Sequence, residues 1–279
     1  NSFGYGLGTA TSFQAASQQA RSGVTRSCSS PIRNTALVLQ RSFLMTPPRV
    51  DGGQIAAIYR PTSTTAEIGG DWYDATILPD GALALSIGDV VGHDLDAATE
   101  MTKASSMLRA FAYTHDHTGP AHTLGQLDQV MQGVSTVDLV TAVHAVLRPH
   151  NQDRHWDITL SNAGHPPPLL VPADGPAYFL QGPRSSDPPL CAAPWVDRHD
   201  WHHTLHDGET LVLYTDGLVE RPGADISDGL RELAAHATDL RHQRLSLPRF
   251  VTELLAPVDE ATDDIAIIAF HAHDDSAHP

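Results

Sequence analysis

The stretch EIGGDWYD, residues 67–74, concentrates glycine, carboxylate and aromatic side chains in one short segment. Gly69 and Gly70 let the backbone approach a neighbour closely, because neither residue has a Cβ atom. Asp71 and Asp74 follow at once, with two aromatic residues between them. Mg²⁺ and Mn²⁺ prefer oxygen ligands, so the stretch fits a turn that holds a divalent cation. A surface β-turn with solvated acids explains this octapeptide equally well.

The chain of 279 residues is acidic, with 33 Asp and Glu against 17 Lys and Arg and a net charge of −16. This balance gives no electrostatic footprint for nucleic acid or an anionic membrane, and we expect neither as a partner. No stretch reaches the length of a membrane span, and residues 1–30 lack the apolar segment of a secretion signal. Cys28 and Cys191 are too few for a disulfide framework. We therefore expect a cytoplasmic protein in which Cys191 is buried or inert.

Composition divides the chain into a tail, one domain and a second tail. Residues 1–33 are rich in small and polar residues, which predicts a flexible linker, and residues 272–279 predict a loose tail. The domain spans 34–271 and begins with an amphipathic leading helix at 34–46. This helix either packs against the domain or connects it to an upstream segment, and it is a candidate surface for a homodimer.

Hydrophobic periodicity predicts an α+β sandwich. Apolar and β-branched runs predict strands at 54–60, 82–87, 138–147, 156–160, 169–171, 178–180, 210–214 and 265–270. Apolar residues at intervals of three or four predict helices at 95–112, 123–131, 228–239 and 246–256. Many strands, with two helices in the first half and two near the end, favour an α+β sandwich with one core region.

Four aspartates are candidates for chemistry: Asp71, Asp89, Asp216 and Asp263. Asp89 and Asp216 each come directly after a predicted strand, and Asp263 comes just before one. If those strands are neighbours, the carboxylates converge at one rim and raise each other's pKa. Two divalent cations about 4 Å apart would remove that conflict and activate a water to attack phosphorus. A cap or turn role explains each aspartate singly, but the four together favour a metal site.

Five motifs occur in a fixed order along the chain: GGDWYD (69–74), GDVVGH (88–93), NAGHP (162–166), YTDG (214–217) and DD (263–264). In this order and spacing they resemble the SpoIIE-type PPM phosphatases, which are RsbU-like bacterial relatives of protein phosphatase type-2C. The resemblance covers about residues 34–271. It implies a four-layer α-β-β-α sandwich of two antiparallel sheets flanked by helix pairs.

The resemblance also implies a metal-dependent protein serine/threonine phosphatase with two Mn²⁺ or Mg²⁺ ions at one edge of the sandwich. Carried over position by position, the implied metal ligands are Asp71, Asp89, the backbone carbonyl of Val90, Asp216, Asp263 and Asp264. The implied substrate is phosphoserine or phosphothreonine on a small regulatory protein, an anti-sigma-factor antagonist.

The chain departs from the family pattern in two places. Gly92-His93-Asp94 stands where the family has Gly-His-Gly, and Pro189-Leu190-Cys191 stands where it often has Pro-Leu-Gly. Neither change removes an implied ligand. The phosphate-binding arginine of the eukaryotic enzymes has no clear counterpart, and we assign Arg60 to the surface. Asp94 keeps open a catalytically silent binding module of the same fold, and a hydrolase of small phosphate esters is a further alternative.

Other polar and aromatic residues near these motifs have structural interpretations. We interpret His165, which precedes three prolines, as structural, and Trp72 and Tyr73 as core wedges. His93 is either a loop residue that packs the turn or a general acid for the leaving serine oxygen.

Overall fold

The computed structural model describes residues 46–61, 69–92, 95–114, 118–150, 155–181, 186–193, 195–258 and 263–273. The predicted leading helix lies outside the described residues except for its last position, as do the tail at 1–33, His93 and Asp94. Within the described ranges, no helix combines the length and apolar character that crossing a bilayer requires.

Ten strands and four helices make up the described part of the chain. The strands are β1 (Gly53–Arg60), β2 (Trp72–Ile77), β3 (Leu83–Val90), β4 (Val140–His150), β5 (His155–Ala163), β6 (Leu169–Val171), β7 (Tyr178–Phe179), β8 (Trp201–His206), β9 (Thr210–Tyr214) and β10 (Ile265–Ala272). The helices are α1 (Leu95–Thr114), α2 (Pro120–Val134), α3 (Ile226–His242) and α4 (Leu247–Leu254). A single 3₁₀ turn, Asp216–Leu218, follows β9.

The strands form two sheets of five. The first sheet has the order β1-β10-β9-β6-β7, and the second has the order β2-β3-β4-β5-β8. All pairings between these named strands are antiparallel. An apolar core that includes Leu85, Val143, Leu213 and Phe270 lies between the sheets. Two antiparallel sheets are what the family resemblance implies.

Strand β10 explains the layer order, because its side chains alternate between two apolar cores. Ala266, Ile268 and Phe270 face the core between the sheets. Ile265 and Ile267 face a second core built with α3 and α4. On the opposite side of the molecule, α1 and α2 pack on the second sheet around residues such as Trp72 and Met101. The result is the expected α-β-β-α sandwich, confirmed in each of its four layers.

Three sequence expectations need correction. Asp89 does not follow β3 but is its penultimate residue, since the strand continues through Val90. Strand β5 extends beyond the predicted 156–160 as far as Ala163, so it includes the first two residues of the NAGHP motif. The patterns also miss β2, which begins within the stretch 67–74 that was expected to form a turn, and β8, whose sequence WHHTLH is largely polar. That polarity suits an edge strand, which pairs only with β5 in the described sheet.

Candidate metal centre

Asp71 lies at the edge where the two sheets meet, directly before β2, and only 3% of its surface is exposed. Thr215, which follows β9 in the other sheet, donates a hydrogen bond from Oγ1 to Asp71 Oδ2 at 2.7 Å. Ala266 N donates to the same hydroxyl at 2.9 Å, and the other acceptor in reach, Ala266 O, is farther away at 3.4 Å. The Thr215 proton is therefore directed at the carboxylate.

Gly70 brings Asp71 against the end of β3. The amide of Val90 donates to the Gly70 carbonyl at 3.2 Å. A Cβ atom at Gly70 would lie 2.0 Å from the carbonyl oxygen of Val90, which is a backbone atom that cannot move aside. Only glycine fits this approach, which is what the Gly-Gly pair predicted. It places Asp71 next to Asp89 and the Val90 carbonyl.

Asp264, directly before β10, meets the same loop from the other sheet. Tyr59, in β1, donates a hydrogen bond from its hydroxyl to Asp264 Oδ2 at 2.6 Å. A Cβ atom at Gly69 would lie 1.3 Å from that same Oδ2, so the carboxylate occupies the space that a side chain at Gly69 would need. Asp264 is 4% exposed.

The turn after β9 completes the junction. A Cβ atom at Gly217 would lie 2.3 Å from the carbonyl oxygen of Asp264, so the Asp216-Gly217 turn packs directly on the start of β10. Asp263 is exposed, and its Oδ1 accepts a hydrogen bond from the amide of Asp264 at 2.8 Å. The contacts at Gly69, Gly70 and Gly217 thus join four of the five sequence motifs at one place.

Electrostatics show how close the carboxyl groups are. Burial and then the neighbouring Asp89 raise the pKa of Asp71 well above its ordinary value, and Asp216 and Asp264 add to the shift. Burial, Asp216 and Asp263 raise the pKa of Asp89 to about 7. Asp71 and Asp89 act on each other, since each contributes to the shifted pKa of the other. The cluster therefore resists carrying its full negative charge.

Asp216 belongs to the same cluster. Burial raises its pKa to about 6, with Glu220 and then Asp263 as the next largest causes, and backbone hydrogen bonds oppose the shift. Its Oδ1 is buried and accepts no hydrogen bond in the described part of the chain. A buried acceptor without a donor is costly, so this atom is suited to a cation.

These residues fit a hard divalent cation, because the donor set consists of oxygen atoms and carries excess negative charge. No three His, Cys, Asp or Glu side chains among the described residues are placed to hold one ion jointly. The carboxylates are thus coupled electrostatically, although the described side chains form no closed cage.

The family description Stage II sporulation protein E (SpoIIE) matches residues 79–273, which is more than half of the chain. The chain belongs to the SpoIIE family. Its domain has the fold of the PPM, or PP2C-type, protein serine/threonine phosphatases. Asp71 precedes the matched residues, and the Thr215–Asp71 hydrogen bond attaches it to them.

Three relatives illustrate the similarity of this SpoIIE-family chain to known proteins. Protein IcfG from Synechocystis sp. is 26% identical over 263 residues, covering 84% of this chain and 40% of IcfG. The RsbU and RsbW domains of Rv1364c from Mycobacterium tuberculosis superimpose with a TM-score of 0.68 and 28% identity, covering 82% of this chain and 62% of that chain. The catalytic domain of the phosphatase PstP with two manganese ions has a TM-score of 0.53 and 15% identity, covering 80% and 99%. The chain spans less than two thirds of the first two relatives.

Asp263 and Asp264, the two acids of the last motif in this SpoIIE-family domain, differ in burial. Sequence reasoning ranks Asp263 above Asp264, yet Asp264 is the buried one and Asp263 is exposed. Both interact with Asp89, since each raises its pKa. Which of the carried-over residues bind metal stays a prediction.

His165 has the structural role that the sequence predicted. Its Nε2 lies 3.0 Å from the carbonyl oxygen of Tyr214 and must donate to it, so Nδ1 accepts from Thr141 Oγ1 at 2.8 Å. Asn162 and the His165 backbone exchange two further hydrogen bonds. Burial lowers the pKa of His165 to about 3, which keeps the ring neutral. The NAGHP motif thus holds the end of β9, next to Thr215.

Sequence reasoning missed Thr215, Tyr59 and Glu220. Thr215 stands inside the YTDG motif, directly before a candidate ligand, and that position is a signal that could have found it. Tyr59 lies in an apolar strand more than 200 positions from Asp264, and no local pattern connects the two. Glu220 lies one turn beyond Asp216 and contributes negative charge to it.

Two further residues test sequence expectations. Cys191 is partly buried, and burial and then Asp128 raise the pKa of its thiol to about 11, which agrees with an inert cysteine. Arg60 is partly buried and pairs with Ile265 in the β1–β10 ladder, one position from Asp264. The surface role assigned to Arg60 stays a prediction, and its backbone lies at the edge that carries the cluster.

Proposed function

We propose that this chain is a metal-dependent protein serine/threonine phosphatase that hydrolyses phosphoserine or phosphothreonine on a regulatory protein. The observation that carries the proposal is the convergence of Asp71, Asp89, Asp216 and Asp264 on one edge, with the pKa of the first three raised. Such a cluster is unfavourable without a cation and useful with one. The substrate that fits the family resemblance is an anti-sigma-factor antagonist.

The proposed cofactors are two Mn²⁺ or Mg²⁺ ions held by the carboxylates of Asp71, Asp89, Asp216, Asp263 and Asp264 and by the Val90 carbonyl. PstP, which shares the fold, was solved with two manganese ions. When bound, such a pair supplies an acidified water and neutralises charge on a phosphoryl group. Buried oxygen donors and the Asp216 Oδ1 atom without a partner support this assignment.

The chain's own residues prepare the site in three ways. Thr215 and Tyr59 hold Asp71 and Asp264 in single orientations through short hydrogen bonds. The glycine contacts hold the four segments at backbone distance, which keeps the geometry rigid. Burial of the carboxyl groups lowers the local dielectric, which would strengthen their attraction to a bound cation.

The domain boundaries are part of the same proposal. Residues 34–271 form the phosphatase domain, with 1–33 as a linker and 272–279 as a tail. The helix predicted at 34–46 would connect the domain to an upstream segment or to a second copy of the chain. A cytoplasmic location fits this signalling role.

An assay of aryl phosphate hydrolysis with and without Mn²⁺ tests the proposal. Wild-type protein should be active only with the metal, and Asp216→Asn should lose activity while its circular dichroism stays native. The matched control is Asp239→Asn, which changes an exposed carboxylate on α3. Wild-type activity in Asp216→Asn would overturn the assignment of the site.

Two further measurements separate the alternatives. A silent binding module should give no heat on calorimetric titration with Mn²⁺, whereas the proposed enzyme should bind the ion. A hydrolase of small phosphate esters should prefer those esters over phosphopeptides in a substrate panel. Preference for phosphoserine and phosphothreonine peptides supports the proposal.

A further inference from the structure

A cavity of about 430 Å³ lies at the end of the first sheet that is opposite to the carboxylate cluster. It is bordered by residues of β1, β9 and β10 and by the connection from α3 to α4. Strand β1 runs from Gly53 at the cavity end to Arg60 at the cluster end. At about 3.3 Å per residue, this strand separates the two places by roughly 20 Å. The cavity is therefore independent of the proposed metal site.

The lining of the cavity carries two arginines and is otherwise neutral, with a large apolar part. Arg241, Arg244, His271 and His273 border it, and none of the described residues that line it is acidic. In a chain with a net charge of −16, this is a local reversal of sign. The apolar part of the lining is Val171, Leu240, Leu245, Leu247 and Phe250.

Carboxylates near the cavity leave this positive charge only partly compensated. Asp174 lies 3.6 Å from Arg241 Nη1, but its side chain is fully exposed to water, so the pair is weak. Burial and then His273 lower the pKa of His271, and Asp207 opposes this shift only in part. Arg244 has no carboxylate partner in the part of the chain that the structure describes.

Three residues at the cavity have incomplete or unfavourable local interactions. Arg241 donates from Nη1 to the carbonyl of Ala173, yet its Nε is buried with no hydrogen-bond partner among the described residues. Arg244 has a φ of 49°, a left-handed conformation that is unfavourable for a side chain with a Cβ atom. Ser246 is the N-cap of α4, but its side chain makes no capping bond.

We propose that this cavity binds a small organic anion with a phosphoryl head and an apolar body. The head would lie against the guanidinium groups of Arg241 and Arg244 and the start of α4, where Pro248 contributes no N–H, because a helix N-terminus and guanidinium groups both favour phosphoryl oxygens. The body would pack on Leu247 and Phe250. The cavity volume is in the range of small-molecule sites, and a few polar groups over an apolar lining are typical of such sites.

Calorimetric titration of the metal-free protein with phenylphosphonate tests the proposal. The carbon–phosphorus bond of this probe resists hydrolysis, and removal of metal keeps the carboxylate cluster from contributing. Saturable binding with one site is expected, and Arg244→Gln and Arg241→Gln should each weaken it about tenfold. Arg231→Gln is the matched control, since Arg231 is an exposed residue of α3 that pairs with Asp228.

Absence of saturable binding would overturn the proposal, and so would equal affinity in wild type and both cavity variants. Arg241→Gln removes a hydrogen bond to the backbone and could unfold the protein, so Arg244→Gln, at an exposed side chain, keeps the test decisive. The phosphatase assay needs metal, whereas this titration uses metal-free protein. A negative result in one experiment therefore leaves the other proposal standing.

Discussion

Thr215 Oγ1 donates to Asp71 Oδ2 at 2.7 Å, although 144 positions of the chain separate the two residues. Both side chains are buried, and the hydroxyl itself accepts from the amide of Ala266. One hydroxyl therefore connects the loop before β2, the turn after β9 and the start of β10. Thr215 is therefore a positioning residue, and its loss should lower the affinity of the proposed site for metal.

Thr215→Val should weaken Mn²⁺ binding about tenfold, because it leaves Asp71 without the donor that lowers its pKa. Valine has nearly the same volume as threonine, so the packing should survive. Calorimetric titration with Mn²⁺ measures the affinity, and Thr215→Ser, which keeps the hydroxyl, is the control. Equal affinity in the valine and serine variants would show that the hydrogen bond does not position Asp71.

The metal-free protein should lose stability as the pH rises from about 4 to about 7. The pKa of Asp89 is raised from 3.8 to about 7, and that of Asp216 from 3.8 to about 6. Between those values the folded state binds more protons than the unfolded state, so the free energy of unfolding falls with rising pH. Thermal melts across this range, with EDTA present, measure the effect.

Two variations on the same melts check the cause. Asp89→Asn should flatten the pH dependence and raise Tm at pH 7, because it removes one of the repelling charges. Mn²⁺ should stabilise the wild type more at pH 7 than at pH 5, since protons compete with the ion below the raised pKa of Asp89. Metal-free stability that rises with pH would contradict the electrostatic account of the cluster.

Tyr59→Phe should reduce Mn²⁺ affinity about tenfold while leaving the core intact. The change removes only the hydroxyl that donates to Asp264 Oδ2 at 2.6 Å, and hydrogen bonds to carboxylates are among the stronger ones. Tyr113→Phe is the matched control, because Tyr113 lies exposed on α1. If both variants bind Mn²⁺ with the affinity of the wild type, the hydrogen bond from Tyr59 to Asp264 does not contribute to metal binding.

Gly70→Ala should destabilise the protein by about 1–3 kcal/mol and abolish metal-dependent activity. Its Cβ atom would lie 2.0 Å from the Val90 carbonyl oxygen, so the loop must move away from β3. Gly125→Ala, in the middle of α2, is the control, because a Cβ atom there meets nothing within 4 Å. That change should stabilise the helix by about 0.5–1 kcal/mol. Chemical denaturation and the phosphatase assay give the two readouts.

Local patterns in the sequence predicted most of the secondary structure and the aspartates of the cluster. Apolar runs such as residues 210–214 and 265–270 bury both faces of a strand, so their burial follows from composition alone. Glycine beside aspartate marks places where backbone segments approach closely, and Gly70 and Gly217 show such approaches. These patterns do not predict the edge strand β8, because its sequence WHHTLH has no run of apolar residues.

The order and spacing of short motifs were enough to indicate the family, the sandwich and the residue types of the site. Only the folded chain decided which acids are buried, since burial depends on the sheet edge that each segment joins. Asp264 is covered and Asp263 exposed for that reason, and Tyr59 and Thr215 reach their carboxylates across sequence distances that no local pattern spans. The cationic cavity likewise exists only because β1, β9 and β10 end beside the turn between α3 and α4.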